Sequence, residues 1–445
     1  MEPKTLAVVG GGPAGCAAAN KLNSAGHKVV IIEKENQLGG RIYTHRDGDI
    51  ILDSGAAFFT NFYPLLTRYI KSLDMTKEIK ELFRSSELVW NDRIARLTIG
   101  SISSFLSFPF INTIDKLRMA FYTMWLTVRR RSFDLVDPVK LARYDIRSAA
   151  DGARATVGEA PYQFLVRPGV EPFWYFSCED ISQALTMSLQ SRAVDAKFFF
   201  IKTGMDTVCH KLAQNIQTRL GAEVEHATLE PDGKIRLRWT NESGQKTEEV
   251  FDGAVIASTA QAANRITAEL PEHIVSRPQR EFLNSQTYVP NIHAAYLVDR
   301  DEGASDVGVV FPCGPGKKAI AAIAFHSHKI DDASKLPPGK ELVSVYLSGD
   351  TSGRLISSDK SGIFEKCWSL AVDFYPKLPE KYESFALFVR PETIPVHAVG
   401  RYKLAARFIS EQKGPVTFAG DYLATATVEG AIRSGIRAAE KLIRQ

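Results

Sequence analysis

Cysteine is scarce in this sequence and never paired. The five residues Cys16, Cys178, Cys209, Cys313 and Cys367 are scattered along 445 positions, odd in number, and form no C-x-x-C motif. That argues against a disulfide framework or a zinc-ribbon site and points to a reducing compartment. An excess of charge of one sign is also missing. The 55 basic and 51 acidic residues leave a net charge of +4, too small a surplus on so long a chain for a nucleic-acid binder. No run of 18 apolar residues occurs, so no membrane-spanning helix is expected. Met1-Glu-Pro-Lys4 leads straight into an apolar run, without the cationic stretch and cleavage site of a secretory signal. A cytoplasmic protein is expected, with peripheral membrane contact left open. Internal repeats and low-complexity segments are absent. The composition, 44% hydrophobic and 24% charged, is that of a globular chain with room for roughly two to four domains.

What is present starts at the N-terminus. Thr5 to Val9 has strand composition, Gly10 to Gly15 is a glycine-rich turn, and Cys16 to Leu22 is an alanine-rich helical stretch broken at Ser24-Ala-Gly26. Lys28 to Ile32 is a second β-branched run that ends at Glu33. The whole has the size of a βαβ unit. At the other end, Pro415 to Ala419 reads as a buried strand and Val428 to Ile443 as an amphipathic helix. Mid-chain, Met205 to Leu220 reads as a helix. Glu223 to Leu229 and Lys234 to Trp239 read as a hairpin around Pro231-Asp-Gly233, and Val250 to Ser258 as a further strand. The stretches between are richer in aromatics and proline. Two interleaved domains are therefore expected. One, of α/β class, comprises residues 1–85, 195–275 and 399–445 and binds a nucleotide. The other, α+β, comprises 86–194 and 276–398 and binds substrate.

Gly10-x-Gly12-x-x-Gly15 carries the first chemistry. Gly10 permits a tight turn, Gly12 lets a pyrophosphate approach the backbone, and Gly15 lets the helix pack on the strand. Pro13 opens the helix, where its missing donor costs nothing, and from Ala14 on the first turn presents unpaired N–H groups and a positive dipole end to phosphates. Glu33, 18 residues after Gly15, can accept both hydroxyls of an adenosine ribose and would repel a 2′-phosphate. Leu38-Gly-Gly-Arg41 follows, where a loop can return over the pyrophosphate. Gly40 allows close approach and Arg41 offers a forked cation.

These motifs, with Asp53-x-Gly55-Ala56 and the tail Phe418-Ala-Gly420-Asp421, Val428-Glu-Gly-Ala431 and Ser434-Gly435, resemble the flavin amine oxidase superfamily. That group includes amine oxidases, protoporphyrinogen oxidases and carotenoid desaturases. The turn Gly204-Met205 is similar too. The resemblance implies a Rossmann-like FAD-binding domain and non-covalent FAD. Gly10, Gly12, Gly15 and Arg41 would hold the pyrophosphate, Glu33 the ribose, Asp421 the ribityl–phosphate region and Val224 the adenine. The N–H of Val428 would face the flavin pyrimidine oxygen. Gly55 and Ala56 would line the isoalloxazine, with Phe58, Phe59 and Tyr422 as aromatic candidates beside it. No catalytic base is visible.

Within the superfamily, amine oxidases usually carry a lysine near flavin N5, on a strand corresponding to Tyr288–Val298. Here no lysine lies between Arg280 and Lys317, and Thr427 stands where they place an aromatic. Ile394-Pro-Val-His-Ala-Val-Gly400 is closer to protoporphyrinogen oxidases, and Val307 to Pro312 with Val343 to Gly349 resembles a strand pair of the same group. No cysteine between His397 and Pro415 could attach a flavin. The expected enzyme removes a hydride from a C–H bond of an apolar or polycyclic substrate, with O2 one candidate acceptor. An isoprenoid desaturase, an atypical amine oxidase and a redox-neutral flavin isomerase are the alternatives.

Three further stretches have two readings each. Phe105 to Val128, rich in large apolar residues and followed by Arg129-Arg-Arg131, suits either a core helix with a basic end or a surface that enters a membrane interface. Phe173-Trp-Tyr-Phe176 suits core or cavity wall. His326-Ser-His328 would put both imidazoles on one face of a strand, read as structural because no further metal ligands lie nearby. No metal site is expected.

Overall fold

A computed structural model describes residues 2–82, 85–300, 307–329 and 336–444. Its first organising element is a parallel sheet of five strands. In spatial order these are Gln217–Arg219, Lys28–Ile32, Thr5–Val9, Gly253–Ile256 and Val416–Phe418. Leu6 to Val9, Val29 to Ile32 and Gly253 to Ile256 are buried throughout, as strands covered on both faces must be. Alternate residues serve opposite faces. Leu6, Val8, Val29 and Ile31 pack with Ala17, Leu22, Ile432 and Leu442 of helices Pro13–Ser24 and Val428–Ile443. Ala7, Val9, Val30 and Ile32 pack with Val224, Leu237, Trp239 and Phe251. Those belong to an antiparallel sheet of Ala222–Leu229, Ile235–Asn241 and Lys246–Phe251.

The second large element is a seven-stranded sheet. Its order is Glu383–Pro395, Tyr288–Asp299, Lys340–Leu347, Ile320–Phe325, Val309–Pro312, Ser85–Trp90 and Arg93–Thr98. All neighbours are antiparallel except Val309–Pro312 beside Ser85–Trp90. Helices Ile102–Ser107, Thr113–Val128, Ala149–Val157 and Gln183–Gln190 follow in the chain.

The hairpin and both terminal segments form as expected. Met205 to Leu220 does not. Its helix is only Thr207–Leu212, and Gln217–Arg219 becomes the edge strand beside Lys28–Ile32. The stretch Val250 to Ser258 divides between two sheets, at Phe251 and Gly253. Val309–Pro312 and Lys340–Leu347 are not neighbours, because Ile320–Phe325 lies between them. His326–His328 is a 3-10 turn, not strand. The shared strand face expected of the two histidines therefore does not exist.

Candidate functional site

A cavity of about 1390 Å³ opens at the carboxyl end of Thr5–Val9. There the sheet order reverses, which is where ligands bind in open α/β sheets. Gly10 leaves the strand at φ +109°, and a Cβ on it would meet the carbonyl of Ala257 at 2.7 Å. A Cβ on Gly15 would lie 1.9 Å from the carbonyl of Gly10. Gly15 therefore serves packing and does not line the cavity. At Gly12 a Cβ would point into open space, its nearest neighbour 4.0 Å away, so the missing side chain is what keeps the cavity clear. No side chain caps helix Pro13–Ser24, and its first N–H groups face the same space with Pro13 and Ala14.

Glu33 and Val224 line this end of the cavity. The Glu33 carboxylate accepts from the N–H of Gly11 and, at 2.9 Å, from that of Glu35. Burial raises its pKa above the ordinary glutamate value, against the pull of those two bonds. Further along stand Gly40, Arg41, Gly420, Asp421 and Val428. Arg41 donates to Asp421 at 2.8 Å and to the carbonyl of Thr393 at 2.9 Å.

The turn before helix Val428–Ile443 is clamped on several sides. Trp174 Nε1 donates to the carbonyl of Ala426 at 2.8 Å, and His397 Nε2 accepts from the Ala426 N–H at 2.9 Å. Arg401, buried, donates to the carbonyls of Asp421, Tyr422 and Ala424. Thr427, where an aromatic is usual, is the N-cap, accepting from the N–H of Gly430 at 2.9 Å. The N–H of Val428 thereby sits in the first helical turn, without an intrahelical partner, at the cavity wall.

Gly55, Ala56 and Phe58 line the opposite end with Phe173, Tyr175, Phe311 and Tyr346. Two expected aromatics are absent from it. Tyr422 is fully buried against Phe282, because its ring folds under Gly420, where a Cβ would strike it at 2.3 Å. Phe59 is buried and stacked on Phe199. Their place is taken by Tyr175 and Tyr346, stacked at 6.4 Å. Phe173, Trp174 and Tyr175 thus form cavity wall, while Phe176 packs on His397.

Two cations here escaped the sequence reading. Lys329 lines the cavity from the turn after Ile320–Phe325 and pairs with Asp53. The cavity therefore holds a lysine although strand Tyr288–Asp299 has none. Arg390 donates to the Ser54 carbonyl and to Ser54 Oγ, both at 2.7 Å. It forms no ion pair among the described residues, and burial lowers its pKa. Neither residue sits in a local motif. Arg390 faces the site through its register opposite Asn291, which only tertiary structure reveals. His293 and His326 both bond Ser344 Oγ, at 2.7 and 2.8 Å. Burial pushes His293 down to about 3, so it is a neutral ring beneath Tyr346. Among the described residues no His, Cys, Asp and Glu cluster could hold a metal ion.

Comparisons with known proteins bear on the family and the fold. A family model described as flavin containing amine oxidoreductase matches residues 13–443. L-amino acid oxidase bordonein-L of Crotalus durissus terrificus is 20% identical, over 100% of this chain and 87% of its own length. A solved structure assigned as a protoporphyrinogen oxidase, from Exiguobacterium sp. 255-15, superposes with a TM-score of 0.76 at 14% identity, covering 100% of this chain and 99% of the other. The CLA-producing fatty acid isomerase from P. acnes gives 0.71 at 16% identity, with 97% of each chain covered.

Proposed function

The chain belongs to the flavin containing amine oxidoreductase family and is an FAD-dependent oxidoreductase, and from that premise we propose that it removes a hydride from a C–H bond of an apolar or polycyclic substrate, in the manner of a protoporphyrinogen oxidase. The observation that carries the reading is one continuous cavity with two kinds of wall. Its glycine-rich end suits a dinucleotide and its aromatic end suits a large apolar molecule. At about 1390 Å³ it exceeds what a drug-sized ligand needs, roughly 300–1,000 Å³. The cofactor-binding segments would be 1–85, 195–275 and 399–445, supported by the parallel sheet, whose strands all fall within them. The substrate segments would be 86–194 and 276–398, which supply nearly all of the seven-stranded sheet.

Bound FAD would supply a two-electron acceptor for the hydride. The chain's own residues bind and polarise it. Gly10, Gly12, Gly40, Arg41 and the first turn of helix Pro13–Ser24 would hold the pyrophosphate, and Glu33 the ribose. Asp421 would hold the ribityl end, and the backbone at Val224 the adenine. The N–H of Val428 stabilises negative charge placed on the flavin pyrimidine edge. Tyr175, Tyr346, Phe58 and Phe173 exclude water from the substrate. Binding would be non-covalent as far as thiols go, since all five cysteines are buried and none lines the cavity among the described residues.

A second reading rests on Arg390. A half-buried guanidinium that has no carboxylate partner among the described residues suits a substrate that brings its own, such as the amino acid its L-amino-acid-oxidase relatives are named for. Anaerobic bleaching of the bound flavin separates the two. A reduced tetrapyrrole or a polyene should bleach it, and benzylamine and spermine should not. Bleaching by an L-amino acid in place of the apolar compounds would replace the first reading with the second. Acid precipitation should leave FAD in the supernatant, and yellow colour in the pellet would overturn the non-covalent assignment. Reoxidation of the bleached flavin by air tests O2 as the acceptor.

A further inference from the structure

One surface feature has no part in the cavity. Among the described residues, eight of the large apolar side chains that stand exposed lie in two consecutive helices, Ile102–Ser107 and Thr113–Val128. Ile114, Leu117, Phe121, Met124, Trp125 and Val128 follow helical spacing and form one face, with Phe121 71% and Val128 78% exposed. Ile102 and Leu106 extend it, since Lys116 of the longer helix donates to the carbonyl of Leu106. The other side of Thr113–Val128 is well anchored. Leu126 is buried with Phe133 and Met187, and Gln190 donates to Thr123 at 3.0 Å. Phe108 and Ile111, between the helices, are buried with Phe164. The exposed face is therefore held rigidly outward and is not the loose side of a core helix.

We propose that this face docks on a membrane surface that carries anionic lipid headgroups. Charge singles out that occupant. Residues 101–131 hold five basic side chains, Lys116, Arg118, Arg129, Arg130 and Arg131, against the single acid Asp115, which is buried. That surplus of four equals the net charge of the whole chain. Arg129 lies over the Trp125 ring at 4.8 Å, while Arg118 pairs with Asp115 at 3.7 Å and Arg130 with Asp195 at 3.1 Å, which leaves Arg129 and Arg131 as the arginines of this segment without a carboxylate partner among the described residues. An amphipathic helix with cations beside its apolar face is the form that lies in the headgroup layer. A second copy on the same face is the competing occupant, and the sedimentation arm of the test below separates it. The location has a use. Ile99 lines the cavity, and Ile102, three residues on, is 73% exposed. Three residues span at most about 11 Å, so the Ile102 end of the exposed face lies within that distance of the cavity wall. Docking itself does not depend on the redox reading.

Cosedimentation of the FAD-loaded protein with vesicles tests the proposal. Wild type should pellet with phosphatidylcholine–phosphatidylglycerol vesicles, less with pure phosphatidylcholine, and less again as salt rises. Leu117→Asp with Phe121→Asp should cut binding by about tenfold or more. Both sites are exposed, and unchanged circular dichroism and flavin content would show the fold intact. Arg129→Gln, Arg130→Gln and Arg131→Gln together should remove the preference for the anionic lipid. Wild type that stays in the supernatant with mixed vesicles at low salt would overturn the proposal, as would Asp variants that bind undiminished. So would a dimer that sediments alone and dissociates on Leu117→Asp with Phe121→Asp.

Discussion

Glu33 holds its own loop and, under the proposed function, a ribose. Its two oxygens already accept from Gly11 and Glu35, and the lone pairs that remain face the cavity. Glu33→Arg removes every acceptor and leaves two backbone donors unmet. A cost of about 1–3 kcal/mol should weaken FAD binding by roughly five- to 150-fold, read by fluorescence titration of the apoprotein. An unchanged affinity would end the assignment. The pH dependence has a fixed sign. Burial raises the Glu33 pKa, and ribose hydroxyls need the ionised form. FAD affinity should therefore fall as pH drops through that raised value, at a higher pH than for an exposed glutamate. This residue was legible in the sequence because its role is local, one strand after the glycine turn. Arg390 and Lys329 were not, because register and a turn bring them to the cavity from strands far apart in sequence.

At the scale of elements, helix Val428–Ile443 connects the cavity to the rest of the chain. Glu429, 1% exposed, accepts from the N–H groups of Leu65 and Leu66, each at 2.9 Å. It thus satisfies the first turn of helix Pro64–Ser72, which no side chain of its own caps. Glu429→Gln keeps one acceptor oxygen and turns an NH2 toward a donor. Stability should fall by about 1–3 kcal/mol, read as a lower urea midpoint with the slope unchanged. An unmoved midpoint would show that the cap is dispensable. The helix was legible end to end from its apolar spacing. The same spacing misled at Met205 to Leu220. Met205, Val208, Cys209, Leu212 and Ala213 are all buried, as in a helix, but the chain turns before Gln217. Gln217–Arg219 has no apolar pattern, and only the open edge of Lys28–Ile32 makes it a strand. Tyr422 was misplaced for a similar reason. Its position after Gly420-Asp421 suggested the cavity, while the backbone at Gly420 turns the ring into the core.

For the whole molecule, three buried histidines set the response to acid. His397 accepts from the Ala426 N–H at Nε2 and lies 2.9 Å from the Pro395 carbonyl at Nδ1. Only the neutral ring protonated at Nδ1 satisfies both. His293 and His326 share Ser344. Burial is the first cause of the lowered pKa in all three, to about 3 for His293 and well below the ordinary value for the others. A lowered histidine pKa means that the unfolded chain takes up protons the folded chain refuses. The stability these rings contribute is complete above the unfolded value of about 6.5. It is lost as pH falls below that value, at up to about 1.4 kcal/mol per pH unit for each ring. Glu33 and Glu429 act in the opposite sense. Their raised pKa values relieve a cost as pH falls through them, two carboxyls against three rings. Between pH 6.5 and about 5 the histidines should therefore dominate. The thermal midpoint measured with excess FAD should drop steeply from pH 7 to pH 5. In His397→Gln, whose amide can still donate to Pro395 and accept from Ala426, the slope should shrink by about a third, one titrating ring in three. A flat profile over that range, or a slope untouched by the substitution, would show that the rings are protonated in the folded chain and that the hydrogen bonds holding the Ala426 turn are not those of the neutral form.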